Sequence, residues 1–169
     1  MEFREMRRKK QQLSQAQCEA ILERNTSGVL SVLGDGGYPY AVPISYIYAE
    51  GKLYFHCAQK GHKLDAIKAC NKVSFCVVDQ DLIVPQEYTS YYRSVIVFGK
   101  AAILENEQEI RRALEKLALK YAPHDSEQGR NRAIQKDSAE VCIVGIAVER
   151  VTGKESIELV RQRSESGFC

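Results

Sequence analysis

The run Leu53-Tyr54-Phe55-His56-Cys57-Ala58-Gln59-Lys60-Gly61-His62-Lys63-Leu64-Asp65-Ala66-Ile67 sets a loop of cations and glycine between a strand pattern and a helix pattern. Leu53, Phe55 and Cys57 alternate as a strand does, while Leu64, Ala66, Ile67 and Cys70 supply an apolar helical face, so Gly61, His62 and Lys63 fall at the helix start. A helix N-terminus presents unpaired N–H donors and roughly half a positive charge, to which Lys63 adds a full one. A phosphate group suits that arrangement. A solvated turn whose lysines only hold water has the same composition, and this segment is compatible with both readings.

Other chemistries find less support. His56, Cys57, His62 and Cys70 lie close in sequence, but His56 and Cys57 are neighbours on a strand and point to opposite faces, so they do not chelate one ion, and no paired ligand spacing is present. No metal site is expected. Cys57 or Cys76 with a histidine could form a nucleophilic pair, yet nothing marks either thiol as activated, and buried structural cysteine is the simpler reading. The chain has no G-x-G-x-x-G, phosphate-loop or H-E-x-x-H pattern.

The elements that must carry the loop read mainly as strands. Ser14 and Gln17 form a capping box, with Leu13 and Cys18 as its hydrophobic staple, for a helix running to about Asn25. Expected strands are 28–33, a long 38–49 with Pro39 and Pro43 marking an edge or bulge, 52–57, 73–78, 91–104 with a bulge at Gly99, and 140–151. The turn cluster Gly34 to Gly37 makes the first two a hairpin. A short helix runs from about His62 to Cys70. Asn106 to Glu109 reads as a second capping box, opening a helix whose Ile110, Ala113, Leu114, Leu117, Ala118 and Tyr121 share one face until Pro123. Residues 80–90 read as loop, 125–138 as loop or short helix, and the last strand is apolar on both faces, as in a barrel wall covered by a helix or a partner subunit. The sum is one domain over 1–169, mainly β: a six-stranded antiparallel split β-barrel with peripheral helices, an N-terminal arm over about 1–12 and a C-terminal tail over about 156–169.

Composition bounds the partners. Twenty-four basic and 22 acidic residues leave a net charge of +2, too little to attract nucleic acid or an anionic membrane, and Arg4, Arg7, Arg8, Lys9 and Lys10 read as a solvated arm. Six cysteines without a C-x-x-C pair, and no apolar run near the ~18 to 20 residues of a membrane span, point to a reduced cytoplasmic protein.

Pro43-Ile44-Ser45-Tyr46 could line a flat apolar ring while its backbone meets ring heteroatoms, or it could be ordinary barrel wall. A flat platform followed by the phosphate-suited loop at Lys63 matches a planar head with a phosphate tail, the shape of flavin mononucleotide (FMN). Here the chain resembles a known family. Met6-Arg7-Arg8-Lys9-Lys10, Tyr40-Ala41-Val42-Pro43-Ile44-Ser45-Tyr46, Leu53 to Ala58 with Gly61 and Lys63, Ser94-Val95-Ile96-Val97-Phe98-Gly99-Lys100 and the closing Thr152-Gly153-Lys154 are similar to the nitroimidazole-resistance proteins, among the pyridoxamine-phosphate-oxidase-like flavoproteins. The ordered set carries the likeness, since each motif alone is weak.

The resemblance implies a homodimer holding FMN in two clefts at the subunit interface. Ile44, Ser45 and Tyr46 would flank the ring, Ala58, Gly61, His62 and Lys63 would lie towards the phosphate, and Ser94 and Val95 would approach from the other subunit. His56 falls near the flavin and substrate space, as a catalytic residue or as a satisfied interface histidine, and Cys57 stands where the family has a small residue. The implied activity is reduction of a small organic acceptor such as a nitroaromatic compound, with NAD(P)H as electron source. Two other expectations remain: a related barrel binding haem, through His56 or His62, or a deazaflavin; and a flavin-binding module without catalysis.

Overall fold

Seven antiparallel strands form a single sheet in the computed structural model, which describes residues 3–137 and 141–166. In chain order the elements are α1 (Gln15–Arg24), β1 (Ser27–Leu33), β2 (Pro39–Ser45), β3 (Ile47–Ala49), β4 (Lys52–Ala58), α2 (His62–Ala69), β5 (Lys72–Val84), β6 (Thr89–Ile103), α3 (Glu107–Tyr121), α4 (Glu127–Asp137), β7 (Val141–Glu155) and α5 (Ile157–Ser166). The strand order is β2-β1-β5-β6-β7-β4-β3. Its two edge strands, β2 and β3, are joined in sequence by one residue, Tyr46, so the sheet must curl until its edges approach each other. Among the described residues no ladder pairs β2 with β3, and the sheet is not closed by hydrogen bonds.

That break corrects the expected count of six strands. Residues 38–49 do not form one strand, because the chain turns at Tyr46, whose N–H reaches back to the Thr26 carbonyl (3.3 Å), and β3 leaves β1 to pair with β4. The expected loop over 80–90 is also overturned: β5 runs on to Val84 and β6 begins at Thr89, a long hairpin whose register shifts between Val78 and Gln80. The hairpin there is held by backbone pairing while Leu82 and Ile83 stay exposed, so no buried face marks it in the sequence. The bulge expected at Gly99 is present as a register shift between Phe98 and Gly99. The last strand extends past Val151 to Glu155, and its expected first residue, Glu140, lies outside the described residues.

Two apolar layers hold the sheet. Leu30, Phe55, Phe75, Val95, Val97, Val144 and Ile146 fill the inner face together with α1 and α2, and α3 lays Ala113 and Leu117 over Ile47, Tyr54 and Ile143 on the outer face of β3, β4 and β7. The last strand is therefore buried on both sides near its start, as its sequence suggests. At the N-terminus the capping box of α1 closes, with Ser14 Oγ accepting from Gln17 N–H and Gln17 Oε1 from Ser14 N–H. Leu13 and Cys18 meet against Gly153, where a Cβ would lie 2.5 Å from the Cys18 sulfur. The box expected at α3 is only half formed: Asn106 accepts from Glu109 N–H, but the Glu109 carboxylate turns to Lys52 Nζ (2.8 Å) and the Tyr54 hydroxyl (3.1 Å). An ion pair to the strand outcompetes the local bond.

Within the expected C-terminal tail, Ile157–Ser166 folds as α5. Ser156 N–H donates to the Tyr92 carbonyl (2.9 Å), Leu159 is buried, and Arg163 reaches the Glu155 carboxylate (3.1 Å). Glu155, 1% exposed, also pairs with Arg93, which touches Asp79 in turn, and Asp79 takes a bidentate fork from Arg24 and a bond from Asn25. This network ties α1, β5, β6, β7 and α5 together. Burial pushes the Asp79 carboxyl up, but the bonds from Arg24, Asn25 and Arg93 outweigh it and hold the group below the usual aspartate range. A lowered folded-state pKa means stability that is fully present above the unfolded value of about 3.9 and lost as pH falls through the folded one. Urea titrations between neutrality and acid should show Asp79→Asn less stable at neutral pH, with a shallower fall in stability below about pH 4. An unchanged acid limb would remove Asp79 from that role.

Candidate functional site

The β4–α2 junction forms as the sequence pattern predicts. β4 ends at Ala58, Gly61 stands at the N-cap of α2 with φ +142°, and no side chain caps the helix. That φ lies where a side chain is strained, and a Cβ at Gly61 would meet nothing within 4 Å, so open space faces the helix start. Lys63 is half-buried on the first turn, with Nζ 6.0 Å from the Phe55 ring centroid. Lys60 is exposed, and Asp65, also exposed, sits in the same first turn.

His62 has a different job. Its ring stacks on Tyr40 at 4.2 Å, and Nε2 accepts from the Asp35 N–H (3.4 Å), with the Asp35 carboxylate 3.6 Å away. It thus ties the β1–β2 turn to α2.

On the outer face of β4, His56 and Ala58 are exposed, and His56 stands beside Ser45, where β2 ends. His56 and Ser45 share an open cleft of about 290 Å³ with Leu114 and Tyr121 of α3, Ile134 of α4 and Val141 of β7. Cys57 faces the opposite way, into the core, so the two residues do occupy opposite faces. Burial first, and then the neighbouring Cys142 thiol, push the Cys57 thiol up to about 12, against the pull of Lys63.

Ile44 and Tyr46 turn inward. Tyr46 is fully buried against Phe75 (4.9 Å, edge-on), and its hydroxyl donates to the Leu22 carbonyl (2.8 Å). Tyr46 N–H donates to the Tyr121 hydroxyl (2.8 Å), which donates in turn to the Thr26 carbonyl and lies 3.0 Å from the Tyr46 carbonyl. Val95 is likewise core. Ser94 pairs with Lys154 of β7, whereas Ala58 pairs with Val141, about 40 Å of extended chain away along the same strand. The structure therefore brings Ser45 and His56 together on the outer face, sets Lys63 on the inner side near Phe55 and Cys57, and places Ser94 and Val95 apart from both.

Sequence reasoning assigned Leu114 and Tyr121 only to a packing face, and found no role for Ile134 in a polar segment. The apolar periodicity of α3 was the available signal for the first two. For Ile134 no signal stood out.

These features define a curled antiparallel sheet with an anion-suited helix start after β4 and an apolar, histidine-bearing cleft on the outer face of that strand. The chain belongs to the pyridoxamine 5'-phosphate oxidase family, whose model matches residues 14–155. No curated protein matches it. Among solved structures it is similar to a candidate 5-nitroimidazole antibiotic resistance protein from Bacteroides thetaiotaomicron, with TM-score 0.71 at 22% identity over 85% of this chain and 86% of that one. It is similar to a FAD-binding protein from Mesorhizobium loti, with TM-score 0.63 at 25% identity over 86% and 96% of the two chains. A FAD and heme binding protein from Mycobacterium smegmatis has TM-score 0.68 at 18% identity over 87% and 73%.

Proposed function

We propose that this protein binds FMN and reduces a small organic acceptor, with a nitroaromatic compound as the substrate class and reduced nicotinamide as the electron source. The observation that carries the reading is the β4–α2 segment: the strand that presents His56 to an apolar cleft shared with Ser45 runs on, through a short loop, into an uncapped helix start at Gly61 that bears the Lys63 cation. The residues fit the group. Backbone donors at 61–63 and Lys63 would hold a phosphate dianion, the cleft walls would exclude water from a flat ring, and Ser45 and His56 would offer hydrogen bonds along its edge. Flavin, once bound, supplies the electron transfer, and the protein supplies position and hydrogen bonds. His56 faces that space exposed and would offer its ring nitrogens as hydrogen-bond partners to the acceptor. Tyr46 would take part only through its neighbours, since its side chain is inside the core.

Two copies of the chain would complete the site. Val29, Val78, Ile96 and Phe98 stay exposed on one sheet face, where Val29, Cys76, Ile96 and Thr152 stand in register across β1, β5, β6 and β7. That exposed apolar face supports a dimer, and pairing across it would let Ser94 of one copy serve a cleft whose other residues lie at the far end of β7. The FAD-binding neighbours support a flavin without deciding its length, and no described helix is long and apolar enough to cross a membrane.

The test is a visible spectrum with ligand mass analysis, FMN and FAD titrations, sedimentation, and anaerobic addition of NADH or NADPH with a nitroaromatic acceptor. A yellow dimer that prefers FMN and turns over is the expected result. A colourless monomer that ignores both flavins overturns the reading, and a haem band would reassign the cleft.

A further inference from the structure

Cys57 of β4 and Cys142 of β7 stand directly opposite each other in the ladder, with their sulfurs 3.5 Å apart. Opposed residues on antiparallel strands share a face and hold their Cα atoms about 4.5 to 5.5 Å apart, inside the span a disulfide bridges. The next inward rows of the same ladder, Phe55 with Val144 and Leu53 with Ile146, are purely apolar, so packing alone does not call for two sulfurs here. Access differs between the two. Cys57 is buried, whereas Cys142 is half-buried at the strand end, where its thiol donates to the Ala58 carbonyl at 3.7 Å. The other described cysteines are placed elsewhere: Cys18 lies against Gly153, Cys70 at the end of α2, and Cys76 between Val29 and Ile96.

We infer that Cys57 and Cys142 are a reversible dithiol–disulfide pair, closed by hydroperoxides and reopened by small thiols, and thus a redox modification site at the end of the β4–β7 ladder. The chemistry balances without a metal or a bound cofactor. Cys142 Sγ attacks a peroxide oxygen, the O–O bond breaks, and the products are a sulfenic acid on Cys142 and one water or alcohol. Cys57 Sγ then attacks that sulfur, the S–O bond breaks, and the departing hydroxide takes the Cys57 proton to form a second water. Two thiols lose two electrons, and the peroxide gains them. Burial pushes the Cys57 thiol up, so the more accessible Cys142 meets the peroxide first, and Cys57 resolves the sulfenic acid by its position 3.5 Å away.

Closure draws the sulfurs from 3.5 Å to about 2.05 Å and removes the thiol that donates to Ala58. It pins β4 to β7 one residue before the loop that leads to α2. The inference goes beyond the flavin reading and stands or falls separately from it.

The full-length protein, treated with equimolar hydrogen peroxide, alkylated and digested with trypsin, decides the matter by mass spectrometry. Peptides 53–60 and 137–150 should appear as one linked species that separates on reduction, while the peptides carrying Cys18, Cys70 and Cys76 stay alkylated. Cys142→Ser should abolish the linked species, and Cys76→Ser should leave it intact. Failure of the two peptides to link, oxidation of either cysteine to sulfinic acid without linkage, or linkage of either to a different cysteine overturns the proposal. The first arm uses the unaltered chain, so it remains decisive even if a variant folds poorly.

Discussion

Lys63→Ala should weaken FMN binding by roughly 10- to 100-fold, while turnover per bound flavin changes little. A charge-assisted hydrogen bond contributes about 1.5 to 3 kcal/mol, and each 1.4 kcal/mol is about a factor of ten in affinity. Micromolar retention needs about −8 kcal/mol, so under the flavin proposal Lys63 would supply a minority share and the backbone donors at the start of α2 much of the rest. Lys63 is well placed for this. It stands on the first turn, half-buried, and its ammonium has no carboxylate partner within ion-pair distance among the described residues. Fluorescence titration of flavin into the variant reads the effect. Unchanged affinity would take Lys63 out of the site, and a loss of turnover at full flavin occupancy would give it a role at the ring instead of the phosphate.

Tyr46→Ala should cost about 3 to 5 kcal/mol of stability, the usual penalty for emptying an aromatic position in a close-packed core. For a chain of this length that corresponds to a fall in Tm of roughly 6 to 20 °C. Tyr46 is fully buried, meets Phe75 edge-on and donates to the Leu22 carbonyl, so it links the bend between β2 and β3 to α1. Tyr46→Phe keeps the ring and loses only that hydrogen bond, and should cost about 1 to 2 kcal/mol. Thermal and urea unfolding of the two variants separate packing from bonding. If Tyr46→Phe proves neutral in stability while shifting the spectrum of bound flavin, the hydroxyl faces the ligand and the inward placement is refuted.

The two effects show how differently neighbouring motif residues can act. Lys63 and Tyr46 belong to the same ordered set of motifs, yet one stands at an open helix start and the other closes the core. Ser45 ends β2 exposed beside the cleft, whereas Tyr46, at the bend between β2 and β3, is fully buried against Phe75. A motif match ranks both as site residues. Only the direction of each side chain separates them.

Local pattern was enough for much of the fold. The capping box at Ser14, the βα junction at Gly61, the apolar face of α3 and the bulge at Gly99 were all legible, because each depends on residues within a few positions of one another. Where the sequence misled, the deciding partner lay far along the chain. Tyr121, 75 residues after Tyr46, bonds the backbone at the bend that makes seven strands out of an expected six. Glu109 abandons its cap for Lys52, Asp79 and Glu155 hold polar segments in place by ion pairs, and α5 is ordered by its contact with β6. Hydropathy does not record such pairings.

By itself, then, the sequence determined most of the helices and strands, the anion-suited helix start and membership of a fold family, since those follow from backbone propensity and short-range spacing. The tertiary structure decided which motif side chains face the cleft and which face the core, that Ser94 and Val95 stand at the opposite end of β7 from Ala58, and that Cys57 meets Cys142. Register and the curl of the sheet set those distances, and both arise from long-range strand pairing that no local stretch of residues encodes.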